Sequence, residues 1–177
     1  MSTLSVILLI LVVLIAAILI YAATRPDTFS VARSIRINAP AAKVFPLIND
    51  FDSWAQWSPW EKKDPAMKRS RSGSPSGQGA VYAWDGNKEV GQGRMEIIDT
   101  TPPSRIRIKL DFFKPFEAHN TAEFTLEPKG EATEVRWVMQ GPSPFMFKLM
   151  GLFLNMDKMV GKDFETGLAS MKAAAEA

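Results

Sequence analysis

The chain opens with one unbroken apolar run and then changes to short, periodic patterns. Leu4–Ala23 reads LSVILLILVVLIAAILIYAA, interrupted only by Ser5 and free of Gly and Pro. A helix of that length spans about 30 Å, the thickness of a bilayer's hydrocarbon core. From Phe29 the period becomes two. Phe29, Val31, Ile35 and Ile37 alternate with Ser30, Ser34 and Arg36, which predicts a half-buried strand with Arg33 as an exception on its apolar face. Asn38-Ala39-Pro40 is a helix start, and Ala41, Val44, Phe45 and Ile48 form the buried face of a helix that Pro46 shortens or kinks. A second short helix is expected from Phe51 to about Trp57. Residues 61–78 are polar and rich in Ser, Gly and Pro, so they predict a loop, with a short strand near Met67–Ser70.

Beyond residue 79 the alternation is sustained. Ala80–Trp84 and Glu89–Asp99 read as partner strands joined by the turn Asp85-Gly86-Asn87, with Gly91 and Gly93 marking a bulge or a close backbone approach. Ile106, Ile108, Leu110 and Phe112 alternate with Arg105, Arg107, Lys109 and Asp111. Ala118–Glu127 and Thr133–Gln140 are two further strands, so the middle of the chain predicts a meander of antiparallel hairpins. From Pro144 to Ala177 the period is helical, with Leu149, Leu152, Met156, Val160, Phe164, Leu168 and Met171 three or four apart. Such a face has to be buried, and the sheet is the large partner available. Gly161 and Gly167 lie near it, where each costs about 1 kcal/mol relative to Ala. Close approach to the sheet, or space for something else, explains that cost.

Charge sharpens the division. Residues 1–24 carry no charged side chain, so all 21 Lys and Arg and all 19 Asp and Glu lie in the remainder. We divide the chain into an anchor at 1–24, a linker at 25–28 and a domain at 29–177. The apolar run is expected to make this a single-pass membrane protein, with residues 4–23 in the bilayer. A cleaved signal peptide is the alternative; it fits less well, because the run exceeds an ordinary signal core of roughly 7–15 residues and no Lys or Arg precedes it. Arg25, Arg33 and Arg36 follow the run, so the positive-inside rule puts the domain in the cytoplasm. A net charge of +2, with both signs interspersed, gives no reason to expect a nucleic-acid partner. The absence of Cys excludes disulfides, thiolate metal sites and a Cys nucleophile, and a single His excludes sites built on two imidazoles.

Several residues have two readings each. Trp54, Trp57 and Trp60 line a cavity mouth or meet a membrane interface, or else pack short helices onto the sheet. Met139, Met146, Met150, Met156, Met159 and Met171 form an adaptable pocket wall or plain core. Tyr82, Trp84, Glu96 and Asn120 orient a ligand in an apolar pocket or make cross-strand contacts. His119 is a general base or an ordinary edge residue. Glu61 and Asp64 are catalytic carboxylates or local caps. The run Lys68-Arg69-Ser70-Arg71 touches anionic headgroups or is a solvated loop.

The ordered set VARSIRINAP with AAKVFPLIND, FDSWAQWSPWEKKDP, GAVYAWDGNKEVGQGRMEI, LDFFKPFEAHNTAEFTL and MDKMVGKDFETGL resembles the START/Bet v 1-like superfamily (SRPBCC), in its polyketide cyclase/dehydrase-like branch. The resemblance runs from Val31 to Leu168. It implies an α+β helix-grip fold, in which a curved antiparallel β-sheet wraps a long C-terminal helix, here with an added transmembrane helix. It also implies a cavity for an apolar molecule. No catalytic acid/base set of that branch matches residue by residue, and the chain has too few His for the metal ligands of the ring-hydroxylase branch. No catalytic residue, metal ligand or cofactor is therefore nominated. For the cavity lining we take Trp57, Trp60, Tyr82, Trp84, Phe112, Asn120, Phe124, Met139, Met156, Met159 and Phe164. The expected function is a membrane-tethered binding module for a hydrophobic small molecule or lipid. The alternatives are a cyclase/dehydrase-like enzyme, using Tyr82, His119 or a carboxylate, and a ligand-free protein-interaction module. The oligomeric state is not legible.

Overall fold

The structure is a computed structural model describing residues 2–177. Helix α1 covers Thr3–Ala23, capped by Ser2, whose hydroxyl accepts from the Ser5 N–H at 3.2 Å. It is apolar on every side, and of its residues only Ala22 is buried. Strand β1 (Thr28–Ile37) follows a four-residue connection, and then helix α2 (Ala41–Asn49), a 3-10 turn (Ser53–Gln56) and helix α3 (Pro59–Lys63). Six strands come next: β2 (Lys68–Gly73), β3 (Ala80–Asp85), β4 (Gln92–Thr101), β5 (Arg105–Lys114), β6 (Ala118–Lys129) and β7 (Ala132–Pro142). Helices α4 (Phe145–Met150) and α5 (Met156–Glu176) end the chain.

The strands form one curved antiparallel sheet of seven strands in the order β1-β7-β6-β5-β4-β3-β2. β2 to β7 are a meander, and α2 to α3 carry the chain from one edge of the sheet to the other. Pairing is continuous from Thr28 opposite Pro142 to Ile37 opposite Thr133, so the start of β1 and the end of β7 share one end of the sheet. The β3–β4 and β5–β6 turns lie at that same end, which is also the end to which α1 is attached. β6 and β7 alternate as the period-two pattern requires: Ala122, Phe124 and Leu126, and Val135, Trp137 and Met139, face inward and are buried.

Helix α5 lies against β1 and the inner face of the sheet. Its buried face is Gly161, Phe164, Gly167, Leu168, Met171 and Ala175. Phe164 stacks on Trp137 with ring centres 3.9 Å apart and planes 6° from parallel, and Trp137 stacks in turn on Phe124 at 4.8 Å. The expected contact between a helix glycine and the sheet is present twice. A Cβ on Gly167 would lie 3.1 Å from Pro59 and 3.2 Å from the Trp137 ring, and one on Gly161 would overlap the Arg33 guanidinium. Arg33, the misfit on the apolar face of β1, thus turns to α5. Its Nε donates to Glu165 at 2.7 Å and its Nη1 and Nη2 to Asp157 at 3.1 Å. Asp157 is held below the usual carboxylate range by that hydrogen-bonded guanidinium.

Three expectations change. The C-terminal segment is two helices, because Gly151 closes α4 and Asn155 starts α5 by accepting from the Lys158 N–H at 2.8 Å. The buried stripe consequently begins at Val160; Leu149 and Leu152 are half-buried, and Met156 is exposed. The short strand expected near Met67–Ser70 is a full edge strand over residues 68–73, longer than expected because all six are exposed and no apolar alternation marks its extent. β4 begins at Gln92, since residues 86–91 form a turn in which the Gly91 N–H donates to the Asn87 carbonyl at 2.8 Å.

The packing of Gly161 predicts a reversal of sign. Gly161→Ala should destabilise the wild-type chain, although Ala is favoured over Gly inside a helix by about 1 kcal/mol. In an Arg33→Ala background it should stabilise by about that amount. Denaturant titration of the two pairs in detergent measures both; the same sign in each would refute the contact.

Candidate functional site

The sheet and α5 diverge toward the end that carries the β3–β4 turn. Between them is a partly open cavity of about 240 Å³. Its sheet wall is Tyr82 and Trp84 from β3, Met95 from β4, Leu110 and Phe112 from β5, Ala122 from β6, and Trp137 and Met139 from β7. The period-two pattern explains this wall, since residues two apart on a strand share a face. Val160, Asp163 and Phe164 of α5, Trp60 and Glu61 of α3, and Trp54, Ser58, Met67, Glu89 and Val90 complete the lining. Trp84 packs against Gly93 of β4, where an added Cβ would overlap its indole. Its Nε1 donates to the Val90 carbonyl at 3.0 Å, which ties the β3–β4 turn to the cavity.

One polar cluster stands in this apolar wall. The Tyr82 hydroxyl donates to Glu61 Oε1 at 2.5 Å, and Arg69 Nε donates to Glu61 Oε2 at 2.7 Å. The Arg71 guanidinium carbon sits 4.3 Å from the centre of the Tyr82 ring. Burial, and then the bond to the Glu61 carboxylate, push the Tyr82 phenol far above its ordinary range. Tyr82 therefore stays a neutral hydroxyl at any physiological pH and is not a base. At the other side, Lys63 Nζ donates to Asp163 at 2.7 Å, joining α3 to α5.

Of the residues nominated from sequence, Trp60, Tyr82, Trp84, Phe112, Met139 and Phe164 meet at this cavity. The other five lie elsewhere. Trp57 and Phe124 are fully buried behind the wall, in contact with Trp137 rather than with the cavity. Asn120 is buried beside Gly141, its Oδ1 without a hydrogen-bond partner. Met156 and Met159 are 40% and 55% exposed, because the sheet-facing stripe of α5 starts only after them. The Trp triplet divides accordingly. Trp54 and Trp57 donate to the carbonyls of Ile48 and Leu47, which fixes the 3-10 turn on α2; Trp54 and Trp60 line the cavity, and Trp57 does not.

Sequence reasoning missed Trp137, Met95, Leu110, Val90, Val160 and Met67 as lining residues. Alternation marked most of them as inward-facing, but nothing local separates a residue that meets a cavity from one that meets a neighbour. Glu61 was weighed as a carboxylate, and the signal that reveals it is Tyr82, 21 residues away. Glu96 pairs with Arg94 at 2.8 Å, outside the cavity lining. His119 is also outside it; its Nδ1 meets Asp111 at 2.7 Å and its Nε2 meets Glu117 at 3.3 Å. Among the described residues, no three or more His, Asp or Glu side chains gather as a metal site would require.

A curved sheet gripping a C-terminal helix over an apolar cavity is the Bet v 1-type helix-grip fold, and the comparisons agree. Residues 28–176 match the family model described as polyketide cyclase / dehydrase and lipid transport, and the chain belongs to that family. Among solved structures, protein CV1439 from Chromobacterium violaceum is similar at 15% identity and a TM-score of 0.59, covering 86% of this chain and 99% of that one. The Aha1 dimer from Colwellia psychrerythraea is similar at 17% identity and a TM-score of 0.58, covering 84% and 96%. Ara h 8.0201 is similar at 11% identity and a TM-score of 0.58, covering 84% and 97%. These likenesses establish the fold. No curated protein matches the sequence.

The His119 contact predicts a titration. The Asp111 carboxylate, the largest influence, raises the His119 pKa above its ordinary value near 6.5. Burial alone would raise the Asp111 pKa, but hydrogen bonds from His119 and Lys109 outweigh it and bring it below the usual range. The folded ring should therefore titrate above about 6.5, and Asp111→Asn should return it toward that value. The stability this pair contributes should be fully present below about pH 6.5 and be lost as pH rises through the folded midpoint. NMR titration of the single His checks both, and an unchanged midpoint in Asp111→Asn would sink the assignment.

Proposed function

We propose that this protein is a membrane-anchored domain that takes up a hydrophobic small molecule, or one apolar arm of a lipid, in the cavity between the sheet and α5. The observation that carries the reading is the cavity: it is apolar, it is partly open, and it lies at the end of the sheet to which α1 is attached. Its volume of about 240 Å³ bounds the ligand. An apolar cavity of about 150 Å³ is enough for benzene, whereas sites for drug-sized ligands run from about 300 Å³ upward. A small aromatic or a short acyl segment fits, and a whole diacyl lipid does not. The Glu61–Tyr82–Arg69 cluster supplies the polar contact that orients such a ligand.

The anchor reading rests on α1, which is long and apolar enough to cross a bilayer and is not buried in the domain. Tethering raises the domain's effective concentration where hydrophobic ligands partition. The positive-inside rule, applied to Arg25, Arg33 and Arg36 after the apolar run, supports a cytoplasmic domain.

A second reading, chemistry of the cyclase or dehydrase kind, draws on the hydrogen bond between Tyr82 and Glu61 inside the same cavity. There Tyr82 acts as a neutral hydrogen-bond donor, which its raised pKa requires. His119 has no part in it, being outside the lining.

Ala122 provides the test, as a small side chain on the cavity wall. Ala122→Phe should fill the cavity and leave the fold intact, within the roughly 1–3 kcal/mol that overpacking costs. The full chain purified from its host membranes should yield a bound apolar molecule by native mass spectrometry, and Ala122→Phe should lose it. Repeated recovery of ligand-free wild type, or equal retention by the variant, would overturn the reading.

A further inference from the structure

Outside α1, nine large apolar side chains are strongly exposed among the described residues, and all but Ile98 lie at one end of the domain. They belong to two neighbouring segments, the α4–α5 region and the β5–β6 turn, which meet where Phe116 and Phe147 pack edge to face at 6.3 Å. Phe153 is 75% exposed, Met146 62% and Phe116 57%. Residues 145–156, FMFKLMGLFLNM, contain one charged side chain, Lys148. That side chain is 8% exposed and is held by Asp27 at 2.5 Å, so this stretch offers solvent no free charge. An apolar face of this kind on a domain otherwise interspersed with charge marks an interaction site.

What covers it follows from where it sits. Asp27 is the last residue before β1, and it holds both α4 and the chain leading into it: Lys148 Nζ donates to its carboxylate, and the Ser143 N–H donates to its carbonyl at 2.7 Å. Only residues 24–26 separate that point from the end of α1, a reach of at most about 14 Å. α1 packs beside α4 itself, and Ala22 in its last turn is buried. If α1 spans a bilayer, α4 lies within the depth of the same bilayer's headgroup region. Lys114 and Lys158 stand exposed among the apolar residues, placed for lipid phosphates while their neighbours enter the acyl boundary.

We infer that the face formed by α4, the α4–α5 connection and the β5–β6 turn docks on the phospholipid surface of the membrane that holds α1, with Phe116, Met146, Phe153 and Leu154 inserted at the headgroup–acyl boundary. Such apolar faces seat about 5–10 Å deep. The inference rests on the reading of α1 as a span. It adds a second membrane contact that orients the domain, and it turns the cavity end of the sheet toward lipid. A ligand then passes between bilayer and cavity without crossing bulk water.

The chain has no Cys, so single cysteines report without background. Full-length Phe153→Cys, Met146→Cys, Leu14→Cys and Glu131→Cys, each carrying an NBD fluorophore, are reconstituted into phosphatidylcholine vesicles with and without phosphatidylcholine brominated along its acyl chains. Leu14 reports the span, and Glu131 reports the opposite end of the sheet. The expected result is blue-shifted emission, quenched by the brominated lipid, at residues 14, 146 and 153, with neither effect at 131. Quenching at 14 with water-like emission at 146 and 153 overturns the docking and leaves the anchor standing. No quenching at 14 overturns the anchor and the docking with it. A blue shift at 153 that brominated lipid does not quench means that a second copy of the chain covers the face, which also overturns the proposal.

Discussion

The seating of α5 on the sheet is the contact on which the rest depends. Phe164 lies flat on Trp137, and Trp137 lies on Phe124, so one aromatic column runs from the helix through two adjacent strands. Trp57 and Trp60 close on the same column edge-on, 5.6 and 5.7 Å from Trp137. Each such pair adds about 0.5–1.5 kcal/mol to the burial of its rings. The column also separates two environments. Trp57 and Phe124 are sealed in the core, whereas Trp60, Trp137 and Phe164 have the cavity on one side. Helix and sheet can diverge beyond the column because they are secured at it.

Charged groups brace this arrangement where apolar contact gives out. Arg33 reaches from β1 to α5 beside Gly161, Lys63 reaches from α3 to Asp163, and Glu61 holds both Tyr82 and Arg69. Exposed ion pairs of this kind contribute between nothing and about 1 kcal/mol each. Their role is geometric: they set the positions of α3 and α5 around a space that no side chain fills. The Glu61–Tyr82 bond differs, because it lies in the lining and keeps the phenol protonated. It gives a mostly apolar cavity a polar corner, opposite the Lys63–Asp163 pair. The family to which the chain belongs is described by cyclases, dehydrases and lipid transport.

Local pattern made much of the fold legible. The period-two stretches became β1 and β3 to β7, and the inward residues Ile106, Ile108, Phe124 and Trp137 are buried as alternation demands. The signals that failed were equally local. β2 has no buried residue, so only a short strand near Met67–Ser70 was expected there, and its full extent to Gly73 comes from its pairing with β3. The C-terminal periodicity ran through Gly151 and Asn155, although both carried helix-end chemistry that the longer stripe obscured. Met156 and Met159 entered the candidate lining for that reason.

By itself, the sequence determined the charge-free apolar run at its start, the strand-rich meander, the terminal helix and which faces are apolar. Those properties follow from composition and period, and each is set within a few residues along the chain. Only the tertiary structure decided which apolar residues meet each other and which meet empty space. Phe164 and Phe124 look alike in sequence, yet one lines the cavity and the other is enclosed, because the divergence of α5 from the sheet is a property of neither segment alone. The same holds for Glu61 and Tyr82, brought together by the crossing of α3 over the edge of the sheet. It holds too for the apolar face around α4, which is exposed because no other element of the domain packs over it.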